Sequence, residues 1–264
     1  MKKHINLIAY DNYETIDSKE AIEKYRKEKI NGVKGSIEFI QNIFLKKQID
    51  KLNVLEIGSG NSKVLYALEE HAILNSGIGI EVSKSRFEFA EKWKRDMNFN
   101  KTTNINKNIF DINFEKIKNI DLCIGFDLVF QFFLPMGENF DYNILKKIYN
   151  SLKTDGVLIL ELSNLTQMKN KKTWDEFYEP DPWRFSLWNC QYDEEKEFLQ
   201  WDKYFIHRTE AKIDKTSIVL KQYSKKQIET LLKSVGFKNI SFCGNLNDDK
   251  YVGKEFEFVV MGEK

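Results

Sequence analysis

The chain has 264 residues, 42% of them hydrophobic and 14% aromatic, which allows one large domain, or a domain with a cap, around a sizeable core. A formal net charge of +1 argues against a partner with a phosphate backbone or an anionic membrane surface, both of which favour a basic face. No stretch approaches a membrane span, the opening apolar run is too short for a signal peptide, and Cys123, Cys190 and Cys243 are scattered, as expected of reduced structural thiols in a cytoplasmic protein.

Residues 1–50 read as a helical lead-in. Asp17 with Glu20 forms a capping box before a charged helix over Ala21–Lys29, which Gly32 and Gly35 break. Ile37, Ile40, Phe44 and Leu45 then give a helical stripe that should pack on a sheet. Tyr10 and Tyr13 lie in the irregular arm ahead of these helices, where Tyr13 is a candidate substrate contact.

Leu52–Asn61 is the stretch that organises the rest. Val54, Leu55 and Ile57 form a short apolar run that ends at Glu56 and Gly58-Ser59-Gly60, as in a strand buried on both faces. The two glycines let the chain turn sharply and let a ligand approach without meeting a Cβ. Val64, Leu65 and Leu68 follow at helical spacing, so the unit is strand, glycine turn, helix, the nucleotide-binding opening of a doubly wound α/β domain. A dinucleotide fingerprint wants a third glycine where this chain has Lys63, which disfavours a nicotinamide oxidoreductase.

A second strand, Gly77–Val82, carries Glu81 at its end, about 20 positions beyond the turn and placed to accept hydrogen bonds from ribose hydroxyls. Ser83 caps a helix to Met97; Thr103–Phe110 is a third strand and Ile120–Gly125 a fourth. A helix over Tyr142–Leu152, a turn at Lys153–Gly156 and a fifth strand, Val157–Leu162, come next. Ser224 with Gln227 caps a helix that Gly236 stops, and Phe237–Cys243 and Phe256–Met261 are two final strands.

Glu56, Gly58 and Gly60, with small Ser62 in place of a last glycine, resemble the Asp/Glu-x-Gly-x-Gly-x-Gly opening of class I S-adenosylmethionine-dependent methyltransferases. The order of the later elements is similar to that family over most of 50–264. The resemblance implies a mostly parallel, seven-stranded, Rossmann-like α/β sheet whose final strand inserts antiparallel, and S-adenosylmethionine (SAM) as cofactor with S-adenosylhomocysteine as product. It implies cofactor contacts from Glu56, Gly58, Ser59, Gly60, Glu81, Val82, Gly125 and Phe126, and it sets Asn108 and Ile109, or nearby Asp111, at the adenine edge. Relatives with the fourth-strand pattern often carry Asn-x-x-x-His, where this chain has Asp127 and Gln131.

Residues 165–222 differ from the rest. Polar Asn164–Lys172 leads into a run rich in Trp, Phe and Tyr, and the alternation over Ser186–Tyr192, Phe198–Arg208 and Ser217–Gln222 reads as antiparallel strands, with turns at Glu194-Glu195 and Asp214-Lys215. Such a layer resembles the lids of small-molecule methyltransferases. On the middle strand Trp201, Lys203, Phe205 and His207 share one face and Tyr204, Ile206 and Arg208 the other; which of them looks inward is left open. Most of these aromatics should glue the lid down, and Arg184, Trp188 and Trp201 are candidate acceptor contacts.

The expected organisation is a helical cap over 1–50, a SAM-binding core over 51–164, a substrate lid over 165–222 and a C-terminal unit over 223–264 that completes the sheet. The expected reaction is methyl transfer to an oxygen or nitrogen of a small molecule, such as a sugar or phosphoryl-type group in polysaccharide or metabolite tailoring. A sulfonium carries its own activation, so the protein positions and desolvates. Either His207 or Asp127 serves as base for a hydroxyl or amine, or Arg184 or Arg208 steers an anionic oxygen through paired hydrogen bonds. Gln131 cannot titrate usefully. The competing classes are a SAM-binding protein without turnover and an oxidoreductase of similar fold; nothing points to a nucleic acid, a membrane or a metal.

Overall fold

The computed structural model describes residues 19–133, 139–181, 184–247 and 249–264. Tyr10, Tyr13 and Asp17 lie outside the described residues.

Fourteen residues, rich in charged side chains, form α1 (Lys19–Gly32), followed after Val33 by α2 (Lys34–Lys46). The break is narrower than two glycines suggested: Gly32 closes one helix and Gly35 lies in the first turn of the next. Ile37, Ile40 and Phe44 are buried as their spacing predicts, whereas Leu45 is exposed, because the buried stripe runs through Ser36 and Phe39 instead.

The strands β1 (Leu52–Ile57), β2 (Leu74–Glu81), β3 (Thr102–Asn106), β4 (Ile120–Gly125) and β5 (Leu152–Ser163) alternate with α3 (Lys63–Glu70), α4 (Lys84–Met97) and α5 (Phe140–Ser151). A right-handed strand–helix–strand alternation makes parallel pairs, and β3–β2–β1–β4–β5 are parallel throughout. After α7 (Lys225–Val235), numbered with α6 (Leu165–Lys171) before it, β10 (Lys238–Cys243) and β11 (Glu257–Glu263) extend the sheet beyond β5 as antiparallel strands. The order is β3–β2–β1–β4–β5–β11–β10, the seven-stranded class I methyltransferase sheet.

Successive residues of a strand point to opposite faces, and the core divides accordingly. Leu55, Ile57, Cys123, Leu158 and Leu160 pack under α5 and α7; Leu52, Val54, Leu122, Ile124 and Ile159 pack under α2 and α3. The cap of α7 is the reciprocal Ser224–Gln227 box read in the sequence, and its last turn ends on Gly236 at φ +118°. Two expectations shift. Strand β3 stops at Asn106, because Asn108 accepts from the Phe110 N–H and starts a 3₁₀ turn over Ile109–Asp111. The turn expected at Lys153–Gly156 is an irregularity inside β5, whose pairing with β4 slips between Ile120 and Leu122.

The lid is a separate antiparallel sheet, β6–β7–β8–β9, made of β6 (Thr173–Asp181), β7 (Arg184–Asp193), β8 (Phe198–His207) and β9 (Ile213–Lys221). Its first strand is not legible as one, and polar Leu165–Lys171 before it is the short helix α6. Asp214 and Lys215 lie in β9, not in the turn before it.

Candidate active site

The carboxyl end of β1 turns through Gly58 (φ +62°) and Gly60 (φ +55°). A Cβ on Gly58 would stand 1.9 Å from Val129 Cγ2, so the position excludes any side chain on steric as well as backbone grounds. The Gly60 N–H donates to Glu81 Oε2 at 2.7 Å and the Ser83 N–H to Glu81 Oε1 at 2.7 Å. Glu81 thus ties the turn to the end of β2, and each oxygen, with its second lone pair, can still accept from a hydroxyl. The Ser59 N–H donates to the Ile80 carbonyl at 3.0 Å, and the buried Ser59 hydroxyl has no partner among the described residues.

Glu56 is 4% exposed, and Oε2 is another buried atom without a hydrogen-bond partner among the described residues. Burial pushes its carboxyl well above the usual range; Lys63 opposes the shift, and Asp127 and Glu81 add to it. An orphaned carboxylate oxygen behind two Cβ-free positions fits a ligand with an ammonium end and a ribose. SAM has both: Gly58 and Gly60 would give its methionyl end room, Glu56 would face the ammonium and Glu81 the sugar.

Across the sheet, β4 exits through Asp127 and Leu128, both in the left-handed region at φ +52° and +61°. For leucine this is a strained conformation, and Leu128 is buried in the hydrophobic cluster of the lid, together with Cys190, Leu199, Trp201 and Leu220. The Asp127 N–H donates to Glu161 Oε2 at 2.8 Å, and Lys63 Nζ meets Asp127 Oδ2 at 2.8 Å. Lys63, the residue standing in place of the third glycine, holds the Asp127 carboxyl below its usual range. Asp127 is therefore ionised and paired. Burial, then Asp127, raises Glu161; Glu257, exposed at the start of β11, is pushed up to about 7 by its crowded surroundings and by Glu161, Asp127 and Glu176. Asp127, Glu161 and Glu257 make an acidic rim along β4, β5 and β11. Among the described residues no group of acids, histidines and cysteines could hold a metal ion.

At several expected cofactor positions the side chain packs into the core, which leaves the backbone as the group that could meet a ligand. Gly125 is a glycine because Leu160 and Ile57 leave a Cβ only 2.9 and 3.1 Å. The Phe126 side chain packs with α2 and α3, and Ile109 packs with Phe114 and α5. Asn108 caps its own turn at 3.1 Å, which leaves its amide NH₂ as the group toward an adenine. Val82 lends its carbonyl, with that of Glu81, to Asn106 Nδ2 at 3.2 and 2.9 Å.

Gln131 is not placed to do chemistry. It is fully buried: its carbonyl accepts from the Ser163 N–H at 2.7 Å and its amide donates to the Lys221 carbonyl at 2.7 Å, so it ties β5 to the lid. His207 Nε2 is engaged by Asp214 at 2.8 Å, and Arg208 pairs with Glu179 at 2.9 Å while lying 4.0 Å over the Phe185 ring. Arg184 is buried over the Phe205 ring at 5.1 Å. These pairings weaken the reading of either arginine as an anion hook.

The burial pattern settles which lid face looks inward: Leu199, Trp201, Lys203 and Phe205 are buried, and Gln200 and Asp202 are not. Trp188 and Trp201 stack at 5.1 Å and 27°. A cleft of about 560 Å³ runs between α1 and the lid, lined by Lys24, Tyr25, Glu28 and Lys29 on one side, by Tyr178, Glu179 and Arg208 on the other, and by Lys63. Sequence reasoning passed over Lys63, Glu161, Glu257 and Lys203. For Lys203 the signal was present, a lone cation between Trp201 and Phe205 on an otherwise apolar face.

The chain matches the family model described as a methyltransferase domain over residues 48–204. No curated protein matches it. A SAM-dependent methyltransferase from Clostridium acetobutylicum superposes with a TM-score of 0.75 at 16% identity, covering 87% of this chain and 91% of that one. The CcbJ methyltransferase from Streptomyces caelestis gives 0.73 at 13%, covering 86% and 88%. SAM-bound CalS10, an amino pentose methyltransferase from Micromonospora echinaspora, gives 0.60 at 11%, covering 95% and 99%. With more than half its length matched, the chain belongs to the methyltransferase-domain family and is a class I methyltransferase that uses S-adenosylmethionine.

Proposed function

We propose that this enzyme methylates an amino group on a small, hydroxyl-rich molecule of the amino sugar type. The observation that supports an amine over a hydroxyl or an anionic oxygen is the acidic rim of Asp127, Glu161 and Glu257 along the strand ends. An ammonium is drawn to such a rim, whereas a phosphate or carboxylate is repelled. The cleft between α1 and the lid is of a size for a sugar-scale molecule, and it meets this rim through Lys63, the partner of Asp127. That CalS10 is an amino pentose methyltransferase accords with this reading.

SAM supplies an activated methyl carbon, so the residues of this chain bind, orient and exclude water. Glu56 and the glycine turn seat the cofactor, Glu81 holds its ribose, and the lid covers the acceptor. Incubation with methyl-labelled SAM and matched pairs of amino and hydroxy sugars tests the reading. Label should enter the amino member of a pair. Label in the hydroxy members alone would overturn the amine assignment.

A further inference from the structure

We propose that Lys203 is the proton acceptor of the methyl transfer, delivered by the lid to the carboxyl end of β4; this rests on the amine-methylating reading above. In the lid sheet Glu176 pairs with Trp188, Trp188 with Lys203 and Lys203 with Thr216, so these four form one row across the inner face. The neighbouring rows, Trp174, Cys190, Trp201 and Ile218, then Tyr192, Leu199 and Leu220, share one hydrophobic cluster with Leu128, the residue after Asp127. Lys203 lies one row out from that apolar seam, its Nζ 3.9 Å from the Trp188 ring centroid and 4.6 Å from that of Trp201.

Its surroundings are unusual for a lysine. It is 5% exposed and has no hydrogen bond or ion pair among the described residues, whereas Lys63, Lys153 and Lys221 each meet an aspartate at 2.6–2.8 Å. A buried cation without a carboxylate is costly, and methionine would pack between two indoles as well. The charged and titratable groups facing it are Arg86 of α4, Glu176 of β6 and Cys190 of β7. Burial and then Arg86 lower its pKa to about 7, so a large fraction is a free amine at neutral pH. Arg86 also belongs to the cofactor turn, since its Nη1 is 3.3 Å from where a Gly60 Cβ would stand. Lys203 thus lies against two tryptophans of the cluster that holds Leu128, and within the field of Arg86 from the cofactor turn. Of the two bases expected from the sequence, Asp127 is engaged with Lys63, and His207 with Asp214 about 13 Å further along the strand.

An ammonium acceptor has no lone pair until it loses a proton. That proton passes to Lys203 Nζ, which becomes an ammonium and returns it to water. The freed nitrogen lone pair then forms the new bond to the methyl carbon, as the carbon–sulfur bond breaks and its electron pair stays on sulfur.

The test uses the full chain, wild type and Lys203→Met. Calorimetry with S-adenosylhomocysteine comes first: absence of heat in the wild type would sink the cofactor reading itself. If it binds, the ¹³C resonance of a labelled lysine that vanishes in Lys203→Met should titrate near neutrality; a midpoint above about 9 refutes the proposal. Sinefungin, a cofactor analogue with an amine where the methyl stands, reports position. Relative to S-adenosylhomocysteine it should bind Lys203→Met at least about tenfold better than wild type near pH 6, with the gain shrinking as Lys203 loses its proton. An equal ratio in the two proteins would put Lys203 away from the methyl and overturn the assignment.

Discussion

The two sides of the candidate site are built on opposite plans. On the sheet side the site is main chain: positive-φ glycines, the Gly60 and Ser83 amides closed on Glu81, and a strained corner at Asp127–Leu128. On the lid side it is side chains: stacked Trp188 and Trp201, Lys203 against them, and the Arg208–Glu179 pair at the mouth. A grip made of backbone tolerates no substitution but accepts one shape of ligand, which suits a cofactor. A wall of side chains can change piece by piece, which suits an acceptor site.

The sharpest way to break the contrast is Gly58→Ala. Holding alanine in the left-handed region costs about 1–2 kcal/mol, and the new methyl would collide with Val129, which is itself held in the tight turn after β4. Calorimetry with S-adenosylhomocysteine should show no heat, and the melting temperature should fall. Retained tight binding would mean that the cofactor lies elsewhere.

Gln131→Leu tests the tie between the two sides. It leaves the Ser163 N–H and the Lys221 carbonyl buried without their partner, at about 1–3 kcal/mol for each group. Melting should drop steeply, while the folded fraction binds S-adenosylhomocysteine with wild-type affinity. A loss of turnover with no change in melting would restore Gln131 to the chemistry.

What the sequence made legible follows the same division. The turn at Gly58–Gly60, Glu81 at the end of β2, the Ser224–Gln227 box and the Gly236 stop are local backbone problems with few chemical solutions, and their residues announce them. Gln131 and Lys203 could not be placed that way. The partners of Gln131 lie 32 and 90 residues distant, and the environment of Lys203 is set by cross-strand neighbours and by Arg86 from another layer. β6 was missed because Asp175, Glu176 and Glu179 break its alternation, and it forms because β7 supplies a partner strand. Lys63 read only as a missing glycine, yet it is the counter-ion of Asp127.

Glu56→Gln sharpens the account of the sheet side by separating stability from binding. The Glu56 carboxyl is raised by burial, so between its unfolded and folded pKa the native state holds a proton that the unfolded chain has lost. Stability contributed at this site therefore falls as pH rises through that window and stays reduced above it. Glutamine has no proton to lose, so the variant should match wild type near pH 4 and melt higher near pH 8, by an amount of order 1 kcal/mol. Its affinity for S-adenosylhomocysteine should fall over the same range, because the orphaned oxygen is reserved for the ligand's ammonium. A variant that loses stability at pH 8 would show that Glu56 is paired and ionised.

The smallest effect belongs to Arg208→Ala, at the mouth of the cleft. Its side chain is 35% exposed, and its guanidinium pairs with Glu179 and covers the Phe185 ring. Exposed pairs contribute about 0–1 kcal/mol and a cation over a ring about 0.5–1, so melting should move by only a few degrees. Removing it leaves Glu179 unneutralised in the cleft, which increases the pull on a cationic acceptor and decreases it on an anionic one. An amino sugar should accordingly show an unchanged or lower KM with the variant, less so at high salt. A higher KM with little change in kcat would mean that Arg208 holds an anionic group on the acceptor, and it would shift the substrate class toward a phosphorylated or carboxylated sugar.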